Sequence, residues 1–191
     1  MATDNLGFDP AEIAEVKQKM QAKGVPFLIN EEEPNSDQFV HFSFVGHHEN
    51  TEVIFDCVMY TLRLIHNDKL ITIAEQEAAK EFPGYIPFDI DEEGNEVGEY
   101  PEGKEEDIED FKATILLELE EEESVKVSES IELFPDWDYG VGLEVALNVE
   151  EITEQIIGNF VTSYISGDFK LDPTLYTFQH DDESEDDGDD D

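Results

Sequence analysis

The chain has 191 residues, 51 Asp and Glu against 10 Lys and Arg, and a formal charge of −41 at pH 7. That balance excludes direct binding of a nucleic-acid backbone, which needs a basic face, and adhesion to an anionic membrane surface. The 39% hydrophobic content, with 13 Phe and 6 Tyr, still supplies a core, and the length suits one domain over residues 1–180.

Asp9 is a good helix N-cap, Pro10 sits where its missing donor costs nothing, and Glu12 completes a capping box before Ile13, Val16 and Met20 mark one face. Gly24 ends this first helix, and Val25 to Ile29 follows as a short edge strand because Pro26 cannot donate to a ladder. From Gln38 to His66 the sequence alternates around Gly46-His47-His48-Glu49-Asn50, which predicts a β-hairpin. Pairing Gly46 with Thr51 sorts Val40, Phe42, Phe44, Val53, Phe55, Cys57 and Met59 onto one wholly apolar face. The other face is mixed: Phe39, His41, Ser43, Val45, Ile54, Asp56, Val58 and Tyr60, with His41 opposite Asp56.

The second strand of this hairpin is expected to run to about Ile65. Asn67 or Asp68 then caps a helix from about Lys69 to Phe82, with Leu70, Ile73, Ala74 and Ala78 at helical spacing and Pro83-Gly84 as its stop. Pro87 to Gly103 mixes Pro, Gly and carboxylates without periodicity and reads as a long surface loop. A third helix covers about Glu105 to Glu122, with Ile108, Phe111, Ile115 and Leu119 on one stripe. Strands follow at Val125 to Leu133 and Tyr139 to Leu147. Asn148 caps a fourth helix, with Ile152, Ile156, Phe160, Val161 and Tyr164 inward and Gly167 at its end. Thr174 to Phe178 adds a last strand. Residues 181–191 hold nine carboxylates, have nothing to bury and read as a disordered acidic tail. The fold class is α+β, a mainly antiparallel sheet of about five or six strands with about four helices packed on it.

Three groups of residues could carry chemistry. His41, Ser43 and Asp56 share the mixed face and contain the parts of an activated nucleophile, without a nucleophile-elbow motif or a Gly-rich oxyanion loop. His47, His48 and Glu49 at the hairpin tip are competent transition-metal ligands, but adjacent residues rarely converge on one ion. Asp89, Asp91 and Glu93 begin like a calcium-binding loop, with Gly94 in place. The loop then departs from the pattern, since Tyr100 stands where a bidentate Glu belongs. Cys57, the only cysteine, falls among apolar residues and reads as an inert buried thiol.

Taken together, these features predict a non-enzymatic interaction module that contacts a basic protein partner, with no cofactor. One rival is a small hydrolase or metal-assisted enzyme using His41, Ser43 and Asp56. Another is a homodimer built through a strand edge or the mixed face. A lone cysteine, no apolar run of the ~18 residues that suggest a membrane span, and a Met1 to Phe8 stretch with Asp4 and no basic residue make a cytoplasmic protein the expectation.

Overall fold

The computed structural model describes residues 9–91, 93–137 and 140–178; the tail at 181–191 lies outside them. In chain order the elements are α1 (Pro10–Lys23), β1 (Leu28–Ile29), β2 (Phe39–His48), β3 (Thr51–Thr61), α2 (Leu62–Glu81), β4 (Ile86–Ile90), β5 (Glu96–Glu99), α3 (Glu105–Glu121), β6 (Ser130–Trp137), β7 (Gly140–Leu147) and α4 (Glu154–Ser166). The class is α+β, and the described residues divide into two compact units, 9–65 with 127–176 and 66–126 with 177–178.

The first unit is built on a five-stranded sheet in the order β1-β2-β3-β7-β6. Three of its junctions are antiparallel, and the β3–β7 junction is parallel. The Asp9 carboxylate accepts from the Ala11 N–H at 2.9 Å, and Gly24 closes α1 with φ 69°. The hairpin strands run through His47 and His48 and turn on Glu49 and Asn50, whose φ values are 48° and 69°. Two consecutive positive φ angles mark the tight hairpin turn whose twist matches its strands.

His48 therefore pairs with Thr51, a register two residues away from the one expected. Ser43 faces Asp56, and His41 faces Val58 instead of Asp56. A shift of two leaves every side chain on its own face. Accordingly Val40, Phe42, Phe44, Val53, Phe55, Cys57 and Met59 are all buried, as the alternation predicts. They pack with Leu143, Val145, Ile157, Phe160 and Val161 in one core. Phe44 and Phe55 stack at 4.9 Å across the strands, and the Tyr164 ring lies edge-on to both at 5.8 and 5.7 Å. α4 is held there because Ile157, Phe160 and Val161 recur at helical spacing along its inner face.

Several boundaries differ from the sequence reading for local reasons. α2 begins at Leu62, not near Lys69, because the Thr61 hydroxyl accepts from the Leu64 N–H at 3.3 Å and caps the helix directly off β3. α4 is capped by Thr153, whose Oγ1 accepts from Ile156 N–H, while the Asn148 N–H donates to Glu129. β6 starts at Ser130 rather than Val125 and continues past Leu133 to Trp137, with a register shift between Phe134 and Trp137. From the strand expected at Thr174 to Phe178, Tyr176 pairs with Val127 as an isolated bridge.

In the second unit, the segment read as a loop from Pro87 to Gly103 contains the β4–β5 hairpin. The Asp91 carboxylate accepts from Glu93 N–H and Asn95 N–H at 2.9 and 2.8 Å, and Gly94 takes φ 82°, so the turn is organised by its own side chain. Ala78, Tyr85 and Ile108 form a small core with Phe82, Tyr100 and Phe111 against it.

Candidate functional site

The strand pairings arrange the mixed face in rows. One row reads Ser43, Asp56, Gly142, Phe134; its neighbour reads His41, Val58, Glu144, Glu132. Phe39, His41, Ser43, Asp56 and Tyr60 are each half-buried. Burial raises the Asp56 carboxyl above its ordinary value; His41 opposes the rise and Glu33 adds to it.

Imidazole, hydroxyl and carboxylate thus share one surface. Diagonal neighbours across a sheet stand about 7–8 Å apart, however, and among the described residues no hydrogen bond joins His41, Ser43 and Asp56. An activated serine needs its base within hydrogen-bond reach. Cys57, on the opposite face, has its thiol pushed well up by burial and further by Asp56, which suppresses the reactive thiolate.

The other candidate residues are placed apart by the backbone. His47 and His48 are consecutive in β2 and point to opposite faces, opposite Glu52 and Thr51, with Glu49 in the turn beyond them. Lys17 pairs with Glu52. In the β4–β5 turn Asp91 is engaged by three N–H donors, from Glu93, Asn95 and the Asn95 amide, and hydrogen bonding holds its carboxyl below the usual range. Asp89 and Glu93 are exposed. Among the described residues, no three His, Cys, Asp or Glu side chains are grouped so as to hold a metal ion.

A more organised constellation lies in the second unit, at residues to which the sequence reading assigned no functional role. Lys112, on α3, contacts Glu75 at 2.9 Å and Glu109 at 2.7 Å, and its side chain is 14% exposed. Burial works against the ammonium, yet the bonds to Glu109 and Glu75 raise its pKa above the ordinary lysine value. The Tyr85 hydroxyl donates to Glu75; burial first, and then that bond, push the phenol up to about 12. The Tyr100 hydroxyl donates to Glu109. Lys112 stands four residues after Ile108 and one after Phe111, so helical spacing alone could have flagged it as a cation turned toward the core. Beside it, Tyr100, Glu102, Glu105, Glu106 and Glu109 line an open groove of about 620 Å³.

No family model, curated protein or solved structure matches the chain. No described helix is long and apolar enough to cross a membrane. Lys17, Lys19, Lys80, Lys104 and Lys112 are each tied to a carboxylate of the same chain.

Proposed function

We propose that this protein is a non-enzymatic interaction module of the cytoplasm whose carboxylate-rich surface contacts a basic protein partner. The observation that carries the reading is the disposition of charge. The formal charge is −41, and five of the lysines sit against carboxylates of the same chain, so these positive charges are dispersed into locally neutral pairs within an overwhelmingly negative field. Such a field accelerates encounter with cationic proteins and repels nucleic acid and anionic lipid.

Affinity capture on the full chain, followed by stepwise elution with sodium chloride, tests the proposal. The expected result is release of partners with basic isoelectric points at moderate salt. Acidic partners, or partners retained in high salt, would overturn it.

A hydrolase acting on the mixed face is the second reading, favoured by the raised Asp56 carboxyl beside His41. It requires ester or amide hydrolysis by the purified chain that Ser43→Ala abolishes. Activity untouched by Ser43→Ala would dismiss it.

A further inference from the structure

Within the second unit, besides Leu117 of α3, the most exposed large apolar side chains are Phe88 and Ile90 on β4, 53% and 67% exposed. Large apolar groups scattered singly on a surface need no explanation, but these two share a face and are backed by an organised support. Ile90 pairs with Glu96, and Phe88 lies across Gly98 of β5. Gly98 has φ 147°, and a Cβ there would stand 2.4 Å from the Phe88 Cδ1 atom, so glycine is what lets the ring lie flat on the strand.

The Phe88 ring also meets Tyr100 at 5.0 Å, and Tyr100 meets the buried Tyr85 at 5.5 Å. The exposed ring is therefore the outer end of a file of aromatic side chains anchored in the core of the unit. Tyr100 continues directly into the groove lined by Glu102, Glu105, Glu106 and Glu109.

We propose that this surface, the Phe88–Ile90 platform and the adjoining carboxylate groove, docks a cationic protein segment in which a bulky apolar side chain neighbours Arg or Lys. The inference rests on the reading above that the partner is basic, and it adds where the partner binds and what it must carry. A fixed aromatic platform provides the apolar anchor around which binding energy concentrates. The rim decides the occupant. A second copy would bring the same carboxylates against these, and nucleic acid or anionic lipid would fail on sign; a segment with guanidinium or ammonium groups beside its anchor complements both parts.

The test uses the full chain and three labelled synthetic peptides in fluorescence anisotropy. The first alternates Arg with Leu and Trp, the second replaces its apolar residues with Ser and Gly, and the third replaces its Arg with Glu. The first should bind about tenfold tighter than the second, and the third should not bind. Phe88→Ala with Ile90→Ala should erase that tenfold advantage and leave the second peptide's affinity unchanged; both side chains are exposed, and circular dichroism checks that the fold persists.

Equal binding of the first two peptides, or an advantage that survives the double substitution, would overturn the docking surface while leaving a basic partner intact. Failure of both cationic peptides, or equal binding of the acidic one, would instead overturn the basic-partner reading. A wild-type dimer that the double substitution dissociates in sedimentation would make a second copy the occupant and refute the proposal.

Discussion

Lys112→Met keeps an aliphatic stem beside Tyr85 and deletes the ammonium. The Glu75 side chain is 19% exposed and that of Lys112 14%, so their charge-assisted bond counts for about 1.5–3 kcal/mol. Glu109 is 48% exposed, and its pair contributes only about 0–1 kcal/mol. The substitution leaves Glu75 part-buried with Tyr85 as its side-chain donor among the described residues, and that orphaned charge shifts the cost toward the upper end. The expected destabilisation is about 2–3 kcal/mol in urea unfolding followed by tyrosine fluorescence. Adding Glu75→Gln to Lys112→Met should return about 1 kcal/mol, because a neutral amide is cheaper to hold in that place. A folded lysine pKa above the unfolded one contributes stability that is fully present below about 10.4 and lost only as pH rises through the folded value. The loss should therefore be constant from pH 6 to pH 9. A cost under about 0.5 kcal/mol, or no recovery in the double variant, would refute the assignment of this cluster as a stabilising node.

The melting temperature should rise between low and near-molar sodium chloride. Like charges about 7 Å apart repel by roughly 0.6 kcal/mol per pair in water, and salt screens them; a flat profile would contradict this. Asp56→Asn should stabilise the protein at pH 7. The folded carboxyl is raised, so its ionised form is the costly one, and the advantage should shrink as pH falls through the folded value toward the unfolded one. An advantage equal at pH 4 and pH 7 in urea melts would count against the burial argument. Gly46→Ala would place a Cβ 2.8 Å from the Phe55 Cε2 atom, inside the Phe44–Phe55 stack, and should cost about 1–3 kcal/mol by the same melts. A neutral outcome would mean the ring yields freely.

What the sequence disclosed was sidedness. Period-2 alternation from Val40 to Met59 assigns the buried face correctly because parity survives a two-residue slip. The register itself depends on whether the turn is short, and Glu49 is a poor advertisement for a positive φ. Thr61 concealed the start of α2 because a residue ending a strand also served as cap, and continued alternation outweighed it. The β4–β5 hairpin was hidden by Pro87 and by apolar residues that alternate without being buried. The parallel β3–β7 junction joins segments about eighty residues apart, beyond any local pattern. Of the candidate site, the face holding His41, Ser43 and Asp56 was readable, whereas their contacts were not, since those depend on the register. The Lys112 cluster is written in helical spacing, but its partners Glu75 and Glu109 are indistinguishable in sequence from the many other carboxylates of the chain.

The most direct test of the central claim is the affinity of the full chain for a lysine-rich peptide and for its glutamate counterpart, measured by calorimetry from about 0.05 to 0.5 M sodium chloride. Binding of the lysine peptide that weakens steadily as salt rises, with none for the glutamate peptide, is the predicted result. Affinity indifferent to salt, or shared by both peptides, would contradict it.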